Sequence, residues 1–103
     1  MVIKALKDDL SEEERQLSRI FRALGEPNRL RIIRILVTEG EMGCGELAER
    51  AGLSPSTLSH HLTVMMGAGV VDGRKEGKAH IVSIQRKELE RYAPGVLTCT
   101  EGS

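Results

Sequence analysis

The chain has no tryptophan, one phenylalanine (Phe21) and one tyrosine (Tyr92). Its core must therefore be aliphatic, built from Leu, Ile, Val and Met rather than from packed rings. Two cysteines, Cys44 and Cys99, are too few for a disulfide framework. No apolar run is long enough to cross a bilayer, and no signal-peptide pattern opens the chain, so a cytoplasmic location is expected. There is no nucleophile–base pair, paired-carboxylate site, phosphate loop or cofactor motif, which argues against an enzyme. No internal repeat or low-complexity segment is present. At 103 residues the chain is long enough for one domain with a modest core.

Net charge is lacking too: 15 basic residues offset 15 acidic ones. By itself this argues against a nucleic-acid binder. The distribution argues the other way. Between Arg15 and Arg34 stand Arg15, Arg19, Arg22, Arg29, Arg31 and Arg34 against Glu26 alone. Between Val70 and Lys87 five basic residues face only Asp72 and Glu76. Local positive surface can bind phosphate on a neutral molecule.

What is present is centred on residues 45–69, GELAERAGLSPSTLSHHLTVMMGAG. This reads as two helices around a tight turn. Gly52 suits the left-handed end of the first. Ser54 caps the second, and Pro55 occupies its first turn, where a missing N–H costs nothing. Ala48 is small where the helices must approach, and Leu53 and Leu58 fill the space between them. The pattern is a helix-turn-helix, whose second helix enters the DNA major groove. On that helix Leu58, Leu62 and Met65 form an apolar stripe. Ser56, Ser59, His60 and Thr63 form a polar one, and residues 54–69 contain no charged side chain. Hydroxyl and imidazole groups without bulk suit base edges or phosphates.

Around this unit the order is mainly α with one β-hairpin. Residues 1–10 form an N-terminal arm or helix extension, with Ile3, Leu6 and Leu10 at helical spacing. Ser11 to Glu14 is a capping box. It opens a helix to about Leu24 with Leu17, Ile20, Phe21 and Leu24 on one face. Pro27 starts a second helix, apolar nearly all round and so central. After the helix-turn-helix, VVDGRKEGKAHIVSI reads as a hairpin with Glu76-Gly77 near its tip and Arg74, Lys75 and Lys78 clustered there. A basic hairpin in that place is a wing. Residues 86–92 make a short last helix stopped by Pro94. The domain thus spans 11–93, and 94–103 is expected to be a flexible tail.

Three collinear stretches carry a resemblance: FRALGEPNRLRII at 21–33, GELAERAGLSPSTLSHHL at 45–62, and GVV…RKEGK at 69–78. The chain resembles the ArsR/SmtB family of winged helix-turn-helix transcriptional regulators over about two-thirds of its length. The resemblance implies a homodimeric operator-binding protein, usually a repressor, recognising a pseudo-palindromic double-stranded site. Its dimer would form through the first and last helices, where Leu17, Leu24, Leu89 and Tyr92 offer apolar groups. Position by position it places DNA contacts at Ser56, Thr57, Ser59 and His60, and on the wing at Arg74, Lys75 and Lys78.

The sensor sites depart from the family pattern. Gly43 and Gly45 stand where many members carry a Cys-x-Cys metal pair, with Cys44 between them. Arg86 and Glu88 stand where others carry Asp and His. Neither usual metal site is expected, and no cofactor is required. A thiol-based or metal-responsive switch through Cys44 and Cys99 is one reading. The other is that both are incidental small apolar residues. His61 flanks the apolar stripe and reads as a packing residue. His80 opens the return strand. The uncharged fourth helix also permits a different class of function, a winged-helix module that binds protein rather than DNA.

Overall fold

The computed structural model describes residues 9–101, and their side chains as far as Thr98. Most of the N-terminal arm, 1–8, lies outside the described residues. Six helices and three strands follow in the order α1 (Glu12–Leu24), α2 (Pro27–Glu39), β1 (Met42–Gly43), α3 (Cys44–Ala51), α4 (Pro55–Gly67), β2 (Val71–Glu76), β3 (Ala79–Ile84), α5 (Arg86–Tyr92) and α6 (Pro94–Glu101).

The helix starts follow from their first residues. The Ser11 side chain accepts from the Glu14 amide, and the Glu14 carboxylate accepts in return from the Ser11 amide. This reciprocal box satisfies two end donors of α1, and three acids sit at its positive end. Glu26 caps α2 through the Arg29 amide, with Pro27 in the first turn. Ile32, Ile33, Ile35 and Leu36 of α2 are all buried, as a central helix requires. They join Ile20, Ala23 and Leu24 of α1, Leu47, Ala48 and Ala51 of α3, and Leu58, Leu62 and Met65 of α4 in one core.

The strands form an antiparallel sheet in the order β1-β3-β2. The two-residue β1 pairs Met42 with Val82 and Gly43 with Ile81. Two residues carry no periodicity by which sequence could announce them. The hairpin register pairs Glu76 with Ala79, so its tip is Gly77–Lys78, next to Glu76 as the sequence implies. Gly77 has φ +61° and Lys78 a negative φ, which is the glycine-first pattern of a two-residue hairpin turn.

Two expectations need correction. The segment after Pro94 is not a flexible tail as far as it is described: Pro94 opens α6, which packs on α2 and α5 and buries Leu97. A proline that cannot continue one helix is equally suited to start the next. Leu24 and Leu89, assigned to a partner face, are buried inside the protomer, while Leu17 and Tyr92 are half-buried. The large apolar groups left in water on α1 and α2 are Phe21, 57% exposed, and Leu30, 41% exposed, with Leu10 just ahead of α1 at 44%. Leu17 and Phe21, four residues apart on α1, lie on one face of that helix.

Candidate nucleic-acid interface

Helices α3 and α4 are joined by Gly52, Leu53 and Ser54 alone. Gly52 sits at φ +69°, and its amide and that of Leu53 close the last turn of α3. A side chain at Gly52 would meet open space but would carry the strain of the left-handed backbone. Leu58 and Leu62 point back onto Leu47, Ala48 and Ala51 in the shared core. The opposite face of α4 is thereby presented to water: Ser56, Thr57, Ser59, His60 and Thr63 are all exposed.

These polar groups are not equivalent. Ser54 Oγ accepts from the Thr57 amide at 3.2 Å and donates to Thr57 Oγ1 at 2.9 Å. Ser56 Oγ lies 3.4 Å from the same cap. Ser56 and Thr57 are thus held at the helix start by local bonds. Thr63 Oγ1 spends its proton on the Ser59 carbonyl at 2.9 Å and can only accept further bonds. The Ser59 hydroxyl and the His60 ring make no side-chain hydrogen bond among the described residues, so they are the free donors and acceptors of the face. His61 points the other way. It is 8% exposed, and its Nδ1, which lacks a hydrogen-bond partner, lies 3.8 Å from Glu26 Oε2. It is the packing residue that the spacing implied.

The hairpin separates the three basic residues that look clustered in sequence. Side chains alternate across a strand. Lys75 pairs in register with His80, two residues on from the Gly73–Val82 pair, so Lys75 shares the face of buried Val71 and Val82 that packs toward α4. Arg74 lies on the opposite face. There its guanidinium makes a two-pronged contact with Glu41, with Arg74 Nη1 at 3.0 Å from Glu41 Oε1, and its Nε donates to Glu76 Oε2 at 2.7 Å. The hydrogen bonds from Arg74 hold the Glu41 carboxyl below its ordinary range, and the two carboxylates push the guanidinium's pKa further up. Arg74 is therefore charge-compensated, whereas Lys75 and Lys78 have no ion-pair partner among the described residues. Because the tie needs ionised Glu41, it is complete at neutral pH and is lost only as pH falls through that depressed value.

The α2 arginines form a separate feature. Arg31 and Arg34 converge with Arg50 in a shallow cleft between α2 and α3. Arg50 is paired there with Glu39 at 2.5 Å and Glu46 at 3.5 Å. Arg31 bonds Asn28.

Gly43 is the N-cap of α3 and Gly45 lies in its first turn, and neither carries a ligand atom. Among the described residues no group of three or more His, Cys, Asp and Glu side chains could hold a metal. Cys44 is half-buried and lines the cleft between α4 and the hairpin. Cys99 is carried by α6, with its side chain outside the described residues. No helix of the described residues is long and apolar enough to cross a membrane.

Comparison with known proteins agrees with this geometry. A family model described as a helix-turn-helix domain matches residues 24–74. The HTH-type transcriptional regulator YceK of Bacillus subtilis is 36% identical over 81 residues, 78% of this chain and 81% of that one. A homologue of the cadmium resistance regulatory protein CadC from Staphylococcus aureus is 30% identical over 87% of this chain and 74% of its own. Among solved structures, a homodimeric winged helix-turn-helix DNA-binding domain from Mycobacterium bovis, a possible ArsR-family regulator, superposes with TM-score 0.74. It is 25% identical, with 93% of each chain covered. NolR from Sinorhizobium fredii gives TM-score 0.70 at 29% identity, with 87% of this chain and 93% of that one covered. Helix-turn-helix, wing and relatives together show that the chain belongs to the ArsR/SmtB family of winged helix-turn-helix transcriptional regulators.

Proposed function

We propose that this regulator is a homodimeric repressor that reads a pseudo-palindromic operator with α4 and grips the flanking phosphates with its wing. The observation that carries this reading is the exposed, uncharged face of α4, next to a hairpin that carries the uncompensated cations Lys75 and Lys78. Ser59 and His60 are the residues that choose sequence, because their polar atoms are free. Ser56 and Thr57 orient the helix start and lie where phosphate oxygens approach a helix N-terminus. The exposed apolar side chains Phe21, Leu30 and Leu10 mark the surface a second copy covers. Two α4 helices related by the two-fold would then meet half-sites about one DNA turn, ~34 Å, apart or a multiple of it.

Fluorescence anisotropy on DNA from upstream of the chain's own gene, across a salt series, tests the reading. Lys78→Ala is expected to weaken all sites alike and to reduce the slope of log K against log salt by about 0.9, one phosphate's worth. His60→Ala is expected to change which sequences are preferred. An unchanged site preference in that variant would remove His60 from the reading face. Absence of salt-dependent binding to any DNA would favour a protein-binding module instead.

The Arg74–Glu41 pair adds a prediction of opposite sign. Glu41→Gln removes a carboxylate from the wing and frees part of Arg74 for phosphate. DNA binding is expected to tighten about threefold to tenfold and the salt slope to steepen by up to one phosphate's worth. If Glu41→Gln binds more weakly, the pair serves to hold Arg74 in its DNA-contacting position rather than to neutralise it.

A further inference from the structure

Between α4 and the inner face of the hairpin lies an open cleft of about 520 Å³. Its walls come from the start of α3 (Cys44, Gly45), from α4 (Leu58, Ser59, Leu62, Thr63, Met66) and from the wing. We infer that this cleft is an effector site for a small apolar carboxylate, and that occupancy competes with DNA. The competition rests on the reading of α4 as the DNA-facing helix; the site itself does not.

Room for a ligand comes from missing side chains. Gly45 carries none on the α3 wall, and nothing lies within 4 Å of where its Cβ would be. Gly73 carries none on the wing, and the space there is met by the tip of Met66, whose Cε would lie 3.4 Å from a Cβ. The volume falls in the range of small-molecule pockets, which run from roughly 300 to 1,000 Å³. Leu58, Leu62 and Val82 form a dry floor. Met66 is the apolar group left in water, 43% exposed, and an apolar body laid in the cleft would cover it. A flexible thioether adapts its shape to such a body.

Charge selects the other end of the ligand. The lining holds two cations, Arg74 and Lys75, and no carboxylate. Arg74 is already compensated by Glu41 and Glu76. The uncompensated charge is the Lys75 ammonium, beside its register partner His80. Ser59 adds a free hydroxyl donor to the same lining. An ammonium, an imidazole and a hydroxyl around an apolar slot match one carboxylate on an apolar body. An amine would be repelled, and a neutral molecule would leave Lys75 unpaired. DNA phosphates can use Lys75, but they gain nothing from Met66 and the apolar floor.

The occupant's position dictates its effect. Ser59 and Thr63 belong both to the cleft wall and to the reading face of α4, so a ligand against them occupies space that a base edge needs. Binding should be mutually exclusive without any change of fold.

The probe is 1-naphthoate, with neutral 1-naphthalenemethanol as the control for charge. In a Cys99→Ser background Cys44 is the single thiol, and it lines the cleft. Without DNA, saturating naphthoate is expected to slow alkylation of Cys44 by N-ethylmaleimide about fivefold or more by blocking access. The alcohol should need about fivefold higher concentration, the size of one exposed ion pair, and Lys75→Gln should bring the two to parity. Met66→Trp fills the cleft, and in that variant naphthoate should give no further slowing of alkylation. In the unsubstituted protein naphthoate should displace labelled DNA. Unprotected Cys44, or protection undiminished in both Lys75→Gln and Met66→Trp, would overturn the site. Failure of the protein to bind any DNA would instead overturn the regulator reading, and the alkylation measurement would still decide the site.

Discussion

Phe21→Asp is expected to leave a folded protomer that no longer dimerises and that binds operator about 100-fold more weakly or worse. The fold should survive because Phe21 is 57% exposed, and α1 stays anchored by Ile20, Ala23 and Leu24. The exposed ring stands with Leu10 and Leu30 as the apolar surface proposed for the second copy. A carboxylate there would be buried without a partner when two copies meet. Operator binding falls further than the loss of one protomer's contacts. Two linked reading helices gain roughly 10² to 10⁴ in avidity over one. Sedimentation equilibrium gives the oligomeric state, anisotropy gives the affinity, and circular dichroism guards against unfolding. A Phe21→Asp protein that remains a dimer would move the interface elsewhere, to the α5–α6 surface first.

Leu58→Ala is expected to be the most destabilising single change in the helix-turn-helix unit. Leu58 is almost wholly buried on the first turns of α4, in the core it shares with Leu47, Ala48 and Ala51 of α3. The turn between the helices holds only three residues, so the helices cannot close much around a lost side chain. Leu-to-Ala truncations in such sites cost about 2–5 kcal/mol. For a domain of this size each kcal/mol lowers the melting temperature by about 4–8 °C. A loss of roughly 10 °C or more is therefore expected by thermal melt. Ser59→Ala, one position along and exposed, should change the melting temperature little while altering DNA recognition. If the two variants melted alike, the division of α4 into a packed and a reading face would be wrong.

That division is legible in sequence because both faces are encoded locally. Ser54, Pro55 and the i, i+4, i+7 spacing of Leu58, Leu62 and Met65 lie within a dozen residues. The capping box of α1 and the left-handed Gly52 are equally local and equally visible. What the sequence hides is long-range or ambiguous. Strand β1 is two residues long and has no periodicity to read; it exists only because β3 lies beside it. Arg74 looks like a free wing cation because its partner Glu41 stands 33 residues earlier. Leu24 and Leu89 look available for a partner because periodicity marks an apolar face without saying which neighbour covers it. Pro94 signals a stop and a start alike, and α6 carries no charged residue in its first turn to settle the matter. The cleft between α4 and the wing is hidden for a further reason. It depends on side chains that Gly45 and Gly73 do not have, brought together from three separate elements.

The pairing of Arg74 with Glu41 and Glu76 bears on how the protein travels before it finds its site. With Arg74 neutralised on the outer face of the hairpin, the wing offers the phosphate chain only Lys75 and Lys78 as uncompensated cations, on a molecule of zero net charge. Long-range attraction and sliding both draw on that uncompensated charge. A carrier so weakly attracted is expected to spend little time on indifferent DNA, to search by brief, repeated collisions and to stay only on sequences that engage α4.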